Sequence, residues 1–225
     1  MASAVKSLGI GVTGHRPDGL KGADWKLLRA RIREIFALMR QVSGKGKRRP
    51  SKSLGRHVLT VRVISPLAEG TDQIVAEEGL SAGCELHCPL PFQQEEYERD
   101  FSTPEALDRF RHLLGKASLV HELGGNGETE AERDASYASA GGEVLRQSDI
   151  LLAVWDGNPA KGTGGTAQIV EEARQAGIPV VWIHSRTPHR IKILAPQWPR
   201  KNGKNNNLGE EWIKRLAAEE KKKTQ

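Results

Sequence analysis

The chain of 225 residues is 28% charged and 37% hydrophobic, carries a net charge of +6, and contains two cysteines. No apolar run approaches the roughly 20 residues of a membrane helix, and the opening MASAVKSLGIGV lacks the apolar stretch of a secretory signal. A cytoplasmic protein with no membrane partner is therefore expected. The length suits one domain with a substantial core, and the positive excess, concentrated in local segments, favours anionic partners only weakly.

LGIGVTG (8–14) reads as a buried strand running into a glycine turn, and 23–42 as an amphipathic helix. In that helix Trp25, Leu28, Ile32, Ile35, Met39 and Val42 recur at spacings of three and four. The segment 44–56 holds six basic residues, no acid and many turn formers, so it is expected to be an exposed loop. HVLTVRVIS (57–65) is a second strand, 67–83 a turn and helix, and CELHCPLPF (84–92) a third strand. Cys84 and Cys88 share that extended stretch, where they cannot easily bridge, and no further pair offers metal spacing. They read as reduced core residues, with no metal and no cofactor expected.

Residues 95–101 and 103–117 are predicted helical, the second opening with Pro104 near its first turn. A short strand (118–123) and a polar loop (124–134) follow, then a helix over 135–147 despite Gly141 and Gly142. SDILLAVWDG (148–157) is a fifth strand, 166–177 a helix stopped at Gly177, and IPVVWIH (178–184) a sixth strand. Residues 201–209 read as flexible and 210–223 as a terminal helix. Short apolar strands alternating with helices predict an α/β, Rossmann-like parallel sheet covered by helices on both faces. Ligands of such sheets bind outside the carboxyl ends of the strands.

Three unusual clusters fall at those ends. After the first strand, TGHR places Thr13 and Gly14 in a turn followed by His15 and Arg16. The arginine can hold a phosphate bidentately or pair with a neighbouring acid. After the second, SPLAEGTD brings Ser65, Glu69, Gly70 and Asp72; the acids either accept from ribose hydroxyls or, for Asp72, cap the next helix. After the fifth, WDGNPAKGTGGT carries Asp156, Gly157, Gly164, Gly165 and Thr166. Its glycines precede a helix whose first amides lack intrahelical partners, an arrangement suited to a phosphate. Thr166 either donates to that phosphate or caps the helix. Trp155 and Tyr137 are further candidates, each with packing as its alternative, whereas His87, His121 and His184 read as core or strand-end residues.

In their order and spacing, IGVTGHR, ISPLAEGTDQIVAEEGL and SDILLAVWDGNPAKGTGGTAQIVEEA resemble the SLOG superfamily over about residues 8–185. Its relatives include cytokinin-activating phosphoribohydrolases, DNA-processing proteins and sensor domains of bacterial antiviral systems. The resemblance implies a Rossmann-like fold with all three clusters facing one pocket for nucleotides or signals such as ADP-ribose and its cyclic forms. It also implies a homo-oligomer, and a separate effector protein as partner for a sensor. The hydrolases carry a glutamate three residues after the motif threonine, where this chain has Ile169. Sensing is therefore the expected function, with a nucleotide-processing hydrolase and a DNA-binding protein as alternatives. Residues 1–185 are expected to form the nucleotide-binding domain, with the basic loop inside it, and 186–225 an extension ending in a helix.

Overall fold

The computed structural model describes residues 6–42, 59–159, 165–188, 191–195 and 207–223. In chain order it runs β1 (Lys6–Gly14), α1 (Trp25–Val42), β2 (Leu59–Ile64), α2 (Thr71–Ser81), β3 (Glu85–Leu90) and α3 (Gln94–Tyr97). Then come α4 (Pro104–Leu114), β4 (Leu119–Glu122), α5 (Glu130–Gln147), β5 (Ile150–Trp155), α6 (Thr166–Gln175), β6 (Val180–His184), β7 (Ile191–Leu194) and α7 (Asn207–Lys222). Short 3₁₀ turns follow β1 (Pro17–Leu20) and α3 (Glu98–Asp100).

The seven strands form one sheet in the order β4-β3-β2-β1-β5-β6-β7. Every pairing is parallel except β6 with β7. Chain order reverses between β1 and β5, because β2 to β4 build outward on one side and β5 to β7 on the other. A crevice opens at such a switch point when the two loops leave in opposite directions.

Strand β5 shows why the sheet is buried on both faces. Alternate side chains of a strand point to opposite faces. Ile150, Leu152 and Val154 join the core beneath α1, α2, α4 and α7, while Leu151, Ala153 and Trp155 join the one beneath α5 and α6. All six are buried. This near-continuous apolar run is the signature of a central parallel strand.

Two elements depart from the expected outline. The segment 124–134 is not all loop, since α5 starts at Glu130 behind a reciprocal cap. Thr129 Oγ1 accepts from Glu132 N (3.2 Å), and the Glu132 carboxylate accepts from Thr129 N (2.9 Å). Beyond residue 185, β7 pairs antiparallel with β6, and α7 lies against α1 with Trp212 fully buried. The Glu220 carboxylate accepts from Ile191 N (3.1 Å), and Lys223 pairs with Glu34 (2.7 Å), fastening α7 to β7 and α1. The basic loop 44–56 lies outside the described residues.

Candidate functional site

The turn after β1 is fixed from both sides. His15 N donates to Val154 O at the end of β5 (2.9 Å), and His15 O accepts from Thr71 N (3.1 Å) and Thr71 Oγ1 (3.0 Å) at the start of α2. Three segments far apart in sequence thus meet at one residue. Gly70 allows the approach: it has φ 102°, and a β-carbon there would stand 2.7 Å from His15 O and 3.0 Å from Arg16 Cα. Only glycine adopts such backbone without strain. Gly70→Ala is expected to cost about 2–3 kcal/mol, a fall of about 4–12 °C in melting temperature for a chain of this size. Thermal denaturation checks it, and a shift below a degree would show that the turn relaxes freely.

Above this junction lies a cleft of about 790 Å³, within the range of small-molecule and cofactor sites. One side is the N-terminus of α6. Gly165 is its N-cap with no side-chain cap, and the first helical amides to bond inside the described chain are those of Gln168 and Ile169, both to Gly165 O. The amides of Thr166 and Ala167, which line the cleft, carry no bond to a described residue. Free amides and the helix dipole together favour an anion there. Arg16 and Arg186 also line the cleft, and neither forms a salt bridge with a described residue. The Arg16 guanidinium lies 5.7 Å from the centroid of the Tyr137 ring. Burial lowers its pKa, but Tyr97, Tyr137, Asp100 and Asp72 outweigh that, so the cation is held firmly.

Among the described residues, three of the four carboxylates that line the cleft differ sharply in environment. Asp156 accepts from Asn158 N (3.1 Å) and Asn158 Nδ2 (2.8 Å). Burial pushes its pKa up, yet the bonds from Asn158 and His15 win, leaving it below the usual range. His15 Nε2 accepts from Asp156 N (3.1 Å) and stands 3.2 Å from Asp156 Oδ1. Nε2 must be bare to make the first contact and must carry a hydrogen to make the second. Asp100 pairs with Arg133 and accepts from Tyr137 Oη.

Asp72, 5% exposed, accepts from Ser65 Oγ (3.0 Å), which in turn accepts from Leu67 N (3.1 Å). Leu67 has φ 60°, uncommon for a bulky residue, and is held there with no exposure. Burial pushes the Asp72 carboxyl up to about 7, against the opposing pull of Ser65, the Ala68 amide and Arg16. It is the acid of this cleft whose proton is in play near neutrality.

No protein-family model matches the chain, and no curated protein sequence matches it. Among solved structures, DNA processing protein A (DprA) from Streptococcus pneumoniae covers 95% of the chain at a TM-score of 0.51 and 15% identity. The chain shares the Rossmann-like α/β fold with that protein. It spans 59% of the length of that DprA chain. The structure of TM1055, a structural-genomics target, covers 77% of the chain and is itself covered over 72%, at a TM-score of 0.42 and 17% identity.

Ile169 occupies the wall of the cleft, 3% exposed and pressed against α5. A β-carbon on Gly141 would stand 2.4 Å from Ile169 Cδ1, so the bare backbone at Gly141 is what lets the two helices approach. Glu171 pairs with Arg174 (3.3 Å) and Glu172 accepts from Gln168 (2.8 Å), and neither lines the cleft.

The cleft gathers Thr13, Gly14, His15, Arg16, Asp72, Asp156, Gly165 and Thr166. Ser65 sits behind Asp72 rather than in the wall. Glu69, expected to hold a ribose, instead turns toward the start of α4, where it accepts from Ser102 N (3.0 Å) and Ser102 Oγ. Gly70 spaces the backbone, and Gly157, at φ 82° beside Trp182, shapes a turn outside the wall. Gly164 lies outside the described residues. Trp155 lines the cleft while stacking on Trp182, with centroids 4.7 Å apart. Tyr97, Asp100 and Arg186 were not singled out by sequence. All three follow the carboxyl ends of β3 or β6, so the rule that exposed the glycine clusters would also have pointed to them.

Proposed function

We propose that the chain binds a nucleotide-derived ligand and acts as a sensor of it, with ADP-ribose-like or cyclic nucleotide signals as the ligand class. The observation that carries this reading is the convergence in one cleft, at the switch point between β1 and β5, of α6 amides that have no bond and two arginine side chains that have no salt bridge to a described residue. The phosphates take the amides of Thr166 and Ala167, and Arg16 and Arg186 brace them. A sensor of this kind passes its signal to a separate effector or through a homo-oligomer, and works in the cytoplasm in bacterial defence or stress signalling.

The test is a melting-temperature screen with mono-, di- and cyclic adenine nucleotides and ADP-ribose. A ligand at a hundredfold excess over its Kd stabilises by about 2.7 kcal/mol, and no shift at millimolar concentration would refute the nucleotide reading. Gly165→Val is expected to abolish the shift while the protein stays folded. Residue 165 has φ −70° and ψ 158°, which valine adopts without backbone strain.

A hydrolase reading is favoured by one observation, the Asp72 carboxyl near neutrality inside the cleft. Against it, the wall at Ile169 is aliphatic, and an oxocarbenium-like transition state needs a carboxylate at hand. Incubation with AMP, NAD and ADP-ribose is expected to release no base or sugar phosphate above background. Turnover that vanishes in Asp72→Asn would replace the sensor with an enzyme.

A further inference from the structure

One wall of the cleft comes from outside the three glycine-bearing clusters. The α3 segment and the 3₁₀ turn after it contribute Tyr97 and Asp100, and α5 contributes Tyr137. Arg133, one helical turn before Tyr137, clamps this wall. It donates to Glu96 Oε1 (2.8 Å), pairs with Asp100, and lies 4.7 Å from the Phe92 ring centroid. Phe92 meets Tyr137 edge-on, with centroids 5.5 Å apart, so the tyrosine ring is fixed from below.

At Asp100 and Tyr137 this wall presents acceptors. The Tyr137 hydroxyl spends its proton on Asp100 Oδ2. Burial first, and the bond to Asp100 second, raise the Tyr137 pKa and keep it a neutral donor to that carboxylate. Tyr137 Oη also stands 3.5 Å from Arg133 Nη2, which leaves the hydroxyl oxygen one lone pair, and the Asp100 carboxylate those not taken by Arg133 and Tyr137, for a group entering the cleft that both residues line. Lone pairs on two neighbouring side chains, one of them an anion, suit a group bearing two adjacent hydroxyls and repel a phosphate. Phosphate donors are the α6 amides, with no bond to a described residue, and Arg16, whose guanidinium lies 5.7 Å from the Tyr137 ring centroid.

Glu69 is committed to Ser102, and Asp156 to Asn158 and His15. Asp100 is engaged as well, by Arg133 and Tyr137, but Tyr137 sets a hydroxyl oxygen beside it in the cleft lining. Glu69, in contrast, lies outside that lining, and Asp156 follows β5, ahead of the α6 N-terminus assigned to the phosphates. Resting on the nucleotide reading above, we propose that Asp100 and Tyr137 form the sugar subsite of this cleft, accepting from the vicinal hydroxyls of a ribose. The ligand class narrows accordingly to ribonucleotides with a free 2′,3′-diol, and a 2′-deoxy or 2′,3′-cyclic phosphate form fits poorly.

The experiment compares AMP, 2′-deoxy-AMP and inorganic pyrophosphate by calorimetry, on the wild-type protein and on Tyr137→Phe, which keeps the ring and removes the oxygen. The wild type is expected to bind AMP at least tenfold tighter than 2′-deoxy-AMP. Tyr137→Phe should lower that preference to about twofold or less and leave pyrophosphate affinity unchanged. Asp100→Asn, which keeps the shape, is expected to weaken AMP at least tenfold with the same pyrophosphate control. Equal binding of AMP and 2′-deoxy-AMP by the wild type, or an undiminished preference in Tyr137→Phe, overturns the sugar subsite while leaving the nucleotide reading intact. Binding of none of the three by the wild type overturns both.

Discussion

Replacing Asp72 with asparagine is expected to stabilise the protein, by an amount that grows with pH from near zero at pH 4 to about 4 kcal/mol above pH 7. The native carboxyl is pushed up to about 7 by burial, from an ordinary value of 3.8. Below pH 4 both folded and unfolded chains hold the proton, and the group contributes nothing. Between pH 4 and 7 the unfolded chain has released it and the folded chain has not. The folded state then binds more protons, and stability falls as pH rises. Above 7 the folded group ionises too, and the loss levels off at three units, worth about 1.4 kcal/mol each. Asparagine retains the shape and an oxygen to accept from Ser65 Oγ, but carries no proton to lose. Asp156, Glu98 and Glu143 shift the other way, each held low in the fold. Their contributions fade as pH falls, equally in both proteins, and cancel in the difference. Denaturant titrations at pH 4.5, 6 and 8 measure it; a difference that stays flat with pH would show that Asp72 ionises normally.

Trp212→Ala is expected to cost about 3–5 kcal/mol, or about 6–20 °C in melting temperature. The indole has no exposure and packs in the core that also holds Leu8, Ile32, Ile35 and Ile150. Its Nε1 has no partner among the described residues, so the side chain is present for its volume rather than for a bond. Loss of the ring leaves a cavity that α7 fills only by shifting on α1, where Lys223 and Glu34 hold it. Thermal denaturation of the variant decides the matter. A loss under 1 kcal/mol would mean that α7 contributes little to the main core.

The sequence disclosed the parallel sheet because each central strand is buried on both faces and therefore reads as an unbroken apolar run. Strand β7 was not legible for the same reason in reverse. It is four residues long, lies at the sheet edge, exposes Lys192 to solvent, and takes its antiparallel direction wholly from β6. The glycine clusters stand out in the sequence because backbone that must approach closely leaves a mark in composition, and residues from all three line one cleft. Side-chain direction leaves no such mark. Glu69 and Asp72 are three residues apart in one motif, yet one anchors Ser102 at the surface and the other is sealed beneath Arg16. The acid-bearing wall at Asp100 was missed because an ordinary helical segment carries it. The signal for Arg133 and Tyr137 was present in Thr129 and Glu132, whose spacing caps a helix and sets both residues on one face of it.

Trp155 and Trp182 give the cleft a spectroscopic identity of its own. Their rings are 4.7 Å apart and inclined at 39°, close enough for their excited states to mix and for the pair to absorb circularly polarised near-ultraviolet light as a unit. Trp155 Nε1 donates to Asn158 O (3.3 Å), and Trp182 Nε1 to Trp155 O (3.0 Å). The ring geometry is thereby coupled to the very loop that carries Asp156 into the cleft. A ligand that moves this loop is therefore expected to change the near-ultraviolet circular dichroism of the pair, a signal readable without a label.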